Sequence, residues 1–247
     1  TIAAHVDSGK TTLADNLIEH NGIISERIAG TLRYLDSDPE EQRRGITMRS
    51  SAIGLQYRYT KGKEEPQNVI VHLVDSPGHT DFSKEVSTSM LACDAAILVI
   101  DAVEGVRART QQVFRETERY ELTPVLVINK IDRLQSELCL TPTEAYLRLR
   151  TLLETINAAA SAVVTAALNN ADQVLSDKDK EAKEKRWTFD PAVGNVIFAS
   201  ALLGYGFTVQ SLCRSLFRSG TVSVKPPLLR QYMFGDFKLK DSDKIVK

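Results

Sequence analysis

The segment AHVDSGKTTL, from Ala4 to Leu13, contains residues whose types and spacing suit a phosphate-binding loop. Gly9 would let the backbone approach a phosphate closely, Lys10 would reach the β- and γ-phosphates of a nucleotide, and the Thr11 hydroxyl would bind Mg²⁺. Ala4 stands where the strict pattern has its first glycine, and alanine can replace glycine where φ is negative. Taken alone, the segment predicts phosphate binding, although an ordinary turn would also accommodate it.

Two segments farther along the chain supply the groups that a triphosphate and its metal need. In DSPG, residues 75–78, Asp75 follows a predicted strand and would hold Mg²⁺ through water, while the Gly78 N–H would meet the γ-phosphate. In RGITM, residues 44–48, the Thr47 hydroxyl would complete the Mg²⁺ shell. The predicted metal ligands are Thr11, Thr47 and, through water, Asp75.

Two later segments have the chemistry to select guanine. In NKID, residues 129–132, the Asp132 carboxylate would accept hydrogen bonds from guanine N1 and N2, and Lys130 would pack along the base. SAL, residues 200–202, would offer a backbone N–H to the guanine O6. Each segment alone would pass for turn or strand-end chemistry, but five segments in this order predict GTP. The predicted GTP-binding residues are His5, Val6, Asp7, Ser8, Gly9, Lys10, Thr11, Thr12, Gly78, Asn129, Lys130, Asp132, Ser200, Ala201 and Leu202.

His79 directly follows the DSPG segment, at a position where other regulatory GTPases have a glutamine that orients the attacking water. A histidine can orient water in the same way, with its charge state set by its surroundings. We therefore predict that His79, Lys10 and Thr47 act in catalysis. The charged segment from Ser37 to Arg49 is expected to order around Mg²⁺ and the γ-phosphate and to loosen after hydrolysis.

Five apolar segments predict the strands that must position these groups. Near-continuous runs at 68–75, 95–101, 124–129 and 195–199 are typical of strands buried on both faces of a parallel sheet. The alternating run at 53–59 predicts a half-exposed strand near an edge, which turns back to pair with 68–75.

Helical patterns lie between the strands. One continues the phosphate loop over 11–19, and another follows a capping box formed by Thr141 and Glu144. The charged stretch 177–186 is expected to be a solvated helix or a linker. The alternation predicts an α/β fold, a doubly wound and mostly parallel sheet of the P-loop GTPase type with helices on both faces.

Composition limits the class of protein. The chain has 247 residues, 43% of them hydrophobic and 26% charged, and its net charge of −1 gives no bulk attraction to nucleic acid. Three cysteines without metal-ligand spacing indicate a reducing compartment. No apolar run approaches the length of a membrane span, so we expect a soluble cytoplasmic protein with no membrane partner.

Both ends of the chain are expected to be cut, because almost no strand precedes the phosphate loop and no domain is finished at the last residue. We expect residues 1–225 to form a GTP-binding domain with a variable insertion around 160–190. Residues 226–247 are expected to begin the connection into a missing second domain.

Four motifs resemble those of the translational GTPases and, among these, those of the elongation factor two branch of eukaryotes. The motifs are AHVDSGKTT at 4–12, RGIT at 44–47, DSPGHTDF at 75–82 and NKIDR at 129–133. That branch also begins its loop with alanine. Ser8 departs from the pattern, because these factors usually have histidine there. The runs NGIIS, LRYLDS, RGITM and SSAI within residues 21–53 are similar to those of the members that act in ribosome assembly.

This resemblance implies a GTPase, using GTP, GDP and Mg²⁺, that acts on the large ribosomal subunit and its RNA late in cytoplasmic 60S maturation. Together with a Shwachman-Bodian-Diamond-type partner protein, it would couple hydrolysis to release of initiation factor six, which blocks subunit joining. Asp7 would coordinate a monovalent cation. Two alternatives remain open at this point: a translocation factor like elongation factor two, and a GTP-binding module without significant turnover in isolation.

Overall fold

The structure is a computed structural model, which describes residues 1–25, 27, 33–36, 38–44, 46–60, 65–78, 82–170, 176–222, 224–234, 238–240 and 244–246. Of Ser83, 238–240 and 244–246, only the backbone is described.

Seven strands form one sheet in the order β2-β3-β1-β4-β5-β6-β7. The central pairs from β3 to β6 are parallel, whereas the edge strands β2 and β7 run antiparallel to their neighbours. This confirms the predicted mostly parallel α/β fold. The strands are β1 Ile2–Ala4, β2 Ser51–Tyr59, β3 Gln67–Asp75, β4 Ala95–Asp101, β5 Thr123–Asn129, β6 Val196–Ser200 and β7 Tyr205–Phe207, and a separate hairpin pairs β8 Lys238–Lys240 with β9 Lys244–Val246.

Helices cover both faces of the sheet. One core contains buried side chains of α3, α4, α6, α8 and α9, while the core on the opposite face contains side chains of α1. Neighbouring residues of β4 alternate between the two cores, with Leu98 and Ile100 in the first and Val99 in the second. The helices are α1 Lys10–His20, α2 Pro39–Arg44, α3 Ser83–Leu91, α4 Ala108–Arg119, α5 Arg133–Ser136, α6 Pro142–Asn169, α7 Asp177–Arg186, α8 Val209–Arg218 and α9 Pro226–Met233.

The predicted capping box agrees with the structure, and the charged stretch 177–186, expected to be a solvated helix or a linker, is a helix. The Thr141 hydroxyl accepts from the Glu144 N–H, and the Glu144 carboxylate accepts from the Thr141 N–H, so the capping box begins α6. The charged stretch is a helix, α7, capped by Ser176 and without a buried residue. Most of its charged side chains are therefore exposed, whereas Lys183 is half-buried and pairs with Glu118.

Two expectations were wrong. No apolar run was expected to reach the length of a membrane span, but the 28-residue α6 is long and apolar enough for one by length and composition. Its residues Leu152, Ile156 and Ala160 are buried in the core. The strand β3 is mostly exposed before Leu73. Because β1 is short and pairs with β3 only at Asp75, the outer part of β3 projects from the sheet with β2 as a two-stranded ribbon.

Candidate functional site

A cavity of about 430 Å³ opens where loops leave the carboxyl ends of the parallel strands, the usual place for ligands in such sheets. Among the predicted site residues, Ser8, Asp75, Asn129, Asp132 and 200–202 do not line this cavity; their positions are given below. The lining residues are His5, Val6, Asp7, Gly9, Lys10, Thr11, Thr12, Arg33, Ile46, Thr47, Gly78 and Lys130.

The loop between β1 and α1 owes its shape to two residues in the left-handed region. Asp7 has φ of 60° and Gly9 has φ of 84°. A Cβ on Gly9 would lie 2.4 Å from Nδ2 of Asn129, so only glycine fits there. Ala4 is the last residue of β1 and has no positive φ, which explains why alanine is tolerated in place of the first glycine.

The phosphate end of the cavity contains a buried ion pair. Nζ of Lys10 lies 2.6 Å from Oδ1 of Asp75, and both side chains are buried. Lys10 begins α1, whose first N–H groups and positive dipole end favour an anion at the same place. The ammonium group is thereby held beside the loop that would surround a phosphate.

Three oxygen-bearing side chains, those of Thr11, Thr47 and Asp36, form a hydrogen-bonded chain near this pair. Oγ1 of Thr11 lies 3.2 Å from Oγ1 of Thr47, and Thr47 donates to Oδ1 of Asp36 at 2.9 Å. Oδ2 of Asp75 is buried and has no hydrogen-bond partner. Hydroxyl and carboxylate oxygens are the donors that Mg²⁺ takes, so Thr11, Thr47 and Asp75 could hold it.

Asp36 is a site residue that sequence reasoning missed. It is fully buried, and its Oδ2 lies 2.9 Å from Nε of Arg33, a residue that lines the cavity and was not predicted. Burial raises the pKa of Asp36, while the hydrogen bond from Thr47 and the Arg33 charge oppose that rise. Asp36 lies between α1 and α2, outside any periodic pattern, so no sequence signal marks it.

At the base end, Asn129 joins the phosphate loop to the segment after β6. Its Nδ2 donates to the Ser8 carbonyl at 2.9 Å, and its Oδ1 accepts from the Ala201 N–H at 2.9 Å. Asn129, Ser8 and Ala201 are all buried. The asparagine thus holds two binding segments together from behind the cavity, and the Ala201 N–H is engaged in this contact.

Lys130 lies across the loop on the cavity side. Its φ is 61°, its Nζ donates to the Asp7 carbonyl, and the same atom lies 2.9 Å from Oδ2 of Asp101. Burial raises the pKa of Asp101, but hydrogen bonds from Lys130 and from backbone N–H groups outweigh it and lower the pKa below its usual range. Asp101, which the sequence analysis did not select, therefore fixes the lysine.

The remaining residues predicted to select guanine are Asp132 and 200–202. Oδ1 of Asp132 is buried without a hydrogen-bond partner, and its charge helps raise the pKa of Tyr205, after the larger effect of burial. Ser200 is buried at the end of β6, whereas Leu202 is 78% exposed. In the predicted complex, the edge of the base would meet the Asp132 carboxylate. The exposed Leu202 side chain would be available to cover a face of the base.

His79 lies outside the described residues, so its predicted role stays a prediction. Its neighbour Gly78 lines the cavity, and a Cβ there would make only ordinary contacts, the nearest at 3.6 Å from Val6. Close packing therefore does not require glycine at residue 78.

Comparison with known proteins agrees with this geometry. The sequence profile of the elongation factor Tu GTP binding domain matches residues 1–231. Elongation factor-like GTPase 1 of Homo sapiens is 44% identical over 100% of this chain and 23% of its own length. Ribosome assembly protein 1 of Saccharomyces cerevisiae is 43% identical over 99% of this chain and 23% of its own length.

Elongation factor 2 of the archaeon Staphylothermus marinus is 44% identical over 84% of this chain and 26% of its own length. The chain thus spans about a quarter of the length of the curated relatives it matches. Because the profile covers residues 1–231 of the 247, this chain belongs to the elongation factor Tu GTP-binding domain family.

Proposed function

We propose that residues 1–225 are the GTP-binding and GTP-hydrolysing domain of a cytoplasmic GTPase that acts on the large ribosomal subunit during its late maturation. One observation carries the proposal for GTP: Asn129 bonds both the phosphate loop and the segment after β6, so phosphate and guanine contacts belong to one rigid site. Relatives named for ribosome assembly match at least 99% of the chain, which supports the assembly role.

The residues at the phosphate end have distinct tasks in this proposal. The Lys10 ammonium exchanges the Asp75 carboxylate for phosphate oxygens and neutralises charge that develops on them. Thr11 and Thr47 would hold Mg²⁺ directly, and Asp75 would hold it through water. When bound, Mg²⁺ supplies positive charge to the β- and γ-phosphates. GDP would use the same loop without the Thr47 contact.

We further propose that His79 orients the attacking water. Its place in the chain, directly after the cavity-lining Gly78, supports this role. His79→Ala is expected to leave GTP affinity nearly unchanged and to abolish ribosome-stimulated turnover, measured by phosphate release. Equal stimulated rates in the variant and the unmodified protein would remove His79 from the mechanism.

The exposed Asp7, held with positive φ beside Gly9, is proposed to coordinate a monovalent cation. Turnover is then expected to be faster in K⁺ than in Li⁺ buffer, and Asp7→Ala should abolish the difference. Unchanged turnover in Li⁺ would contradict the cation site.

The proposed reaction on the ribosome releases initiation factor six from the large subunit with the help of a Shwachman-Bodian-Diamond-type partner, through surfaces that include parts of the protein beyond 226–247. The test is GTP turnover by the full-length protein with free large subunits and, separately, with joined ribosomes. Stimulation mainly by free subunits, with release of the bound factor, is the expected result.

A translocation factor is the second candidate. The archaeal elongation factor 2 matches 84% of this chain at 44% identity, the same identity as elongation factor-like GTPase 1 of Homo sapiens. Stimulation mainly by joined ribosomes would favour it. Absence of stimulation by either particle would instead favour a GTP-binding module with little turnover.

A further inference from the structure

Glu41 is a buried carboxylate on the short helix α2 that the proposed mechanism does not use. Its side chain is 2% exposed, and none of the ion pairs among the described residues includes it. A buried carboxylate without a cation is unfavourable unless N–H groups satisfy it. The neighbouring Glu40 differs, because it is partly exposed and pairs with Arg43 and Arg44.

Backbone N–H groups from both sides of α2 satisfy the Glu41 side chain. Oε1 accepts from Met48 and from Arg49, each at 2.8 Å, and Oε2 accepts from Asp38 at 3.2 Å. Hydrogen bonds to an ionised acceptor are stronger than neutral ones. The Glu41 side chain therefore joins Asp38, directly before α2, to Met48 and Arg49, which follow Thr47.

Glu41 makes hydrogen bonds to the residues on both sides of Thr47. The N–H of Ile46 donates to the Glu41 carbonyl at 3.2 Å, and the N–H of Met48 donates to the Glu41 side chain. The residues on both sides of Thr47 thus donate their N–H groups to one residue, Glu41. The Thr47 hydroxyl then lies 3.2 Å from that of Thr11.

We propose that Glu41 is a positioning residue that places the Thr47 hydroxyl at the metal site and so sets the preference of the protein for GTP over GDP. The inference rests on the proposed function, because Thr47 distinguishes the nucleotides only if it completes the shell around Mg²⁺ at the γ-phosphate. Thr11 lies on α1, and none of the hydrogen bonds that Glu41 makes with the described residues reaches it, so GDP binding is expected not to depend on the Glu41 contacts.

The test compares Glu41→Gln with Glu40→Gln in the full-length protein. Both variants lose one negative charge on the same helix, but only Glu41 bonds the segment around Thr47. Dissociation constants for fluorescent GTP and GDP analogues are measured over a MgCl₂ titration. Glu41→Gln is expected to weaken GTP binding about tenfold and to raise the Mg²⁺ concentration it requires, with GDP affinity within about twofold. Glu40→Gln should change neither.

Two results would overturn the proposal. One is an unchanged GTP-to-GDP preference in Glu41→Gln, and the other is equal weakening of both nucleotides, which would indicate general damage to the site. If Glu41→Gln does not fold, Glu41→Asp, which keeps the charge with one methylene fewer, is measured against the same criteria. Failure of the unmodified protein to bind GTP would refute the proposed function itself, an outcome distinct from either result.

Discussion

Replacing Asn129 with alanine should separate the phosphate loop from the segment after β6. The substitution removes two hydrogen bonds of 2.9 Å and leaves the Ser8 carbonyl and the Ala201 N–H buried without a partner. Each unsatisfied buried group costs about 1–3 kcal/mol, so the free energy of unfolding should fall by about 2–6 kcal/mol. Affinity for GTP and GDP should fall together, because the contact serves both.

Unfolding of residues 1–247 in urea can be followed by the fluorescence of Trp187, the single tryptophan of the chain. Its ring centroid lies 5.7 Å from that of Phe114 in the core. Asn157→Ala is the matched control. Asn157 also makes two hydrogen bonds through its amide, both to the backbone of Phe189, at 2.9 and 2.8 Å, and it lies on α6, outside the cavity lining. The control should lose stability but keep its nucleotide affinity.

A loss below about 0.5 kcal/mol in Asn129→Ala, the range of ordinary surface substitutions, would refute this reasoning. So would equal loss of nucleotide affinity in Asn157→Ala, because the effect would then follow stability alone and not the link between the two segments.

Three further substitutions test other contacts. Gly9→Ala places a Cβ 2.4 Å from the Asn129 amide at a φ of 84°, so it should abolish nucleotide binding in a titration; retained affinity would contradict the close approach. Asp36→Asn should gain stability relative to the unmodified chain as pH rises above about 4, measured by urea unfolding from pH 4 to 8. The sign follows from the raised pKa of Asp36: protonated Asp36 stabilises the fold at low pH, and this stabilisation is lost as pH rises through that pKa. Asparagine stays neutral and loses nothing, so a difference in stability between variant and unmodified chain that does not change with pH would contradict the argument. Thr141→Ala removes the cap at the start of α6 and should cost about 1 kcal/mol in the same assay, whereas an unchanged transition would show that Glu144 alone is sufficient.

The elements predicted from the sequence were those with strong local signals. The predicted strands at 95–101 and 124–129 agree with β4 and β5 nearly to the residue. A continuous run of β-branched and other apolar residues is typical of a strand that is buried on both faces of a parallel sheet. The run at 68–75 has the same pattern, yet most of it is exposed. Burial of a strand depends on the length of its neighbours, and the three-residue β1 covers only the end of β3.

The candidate site divides in the same way. Residues that would touch the ligand, such as Lys10 and Asp132, lie in compact motifs and were predicted. Residues that hold those groups in place were not: Asp36 meets Thr47 from 11 residues away, and Asp101 meets Lys130 from the neighbouring strand. Asp36 lies in an irregular segment and Asp101 ends the strand β4, and neither position is marked by its neighbours in the sequence. Their contacts with Thr47 and Lys130 depend on spatial proximity alone.

The sequence by itself determined the order of the motifs and the alternation of strands and helices, and it predicted the groups that would select guanine, because these are properties of short stretches of chain. The tertiary structure alone decided which carbonyl Asn129 meets, how Glu41 brackets Thr47, and how far β3 is buried. These contacts join residues that are distant in the sequence or separated by a loop. Hydrogen bonds need donor and acceptor within about 3 Å, a distance that packing sets and that residue spacing along the chain does not encode.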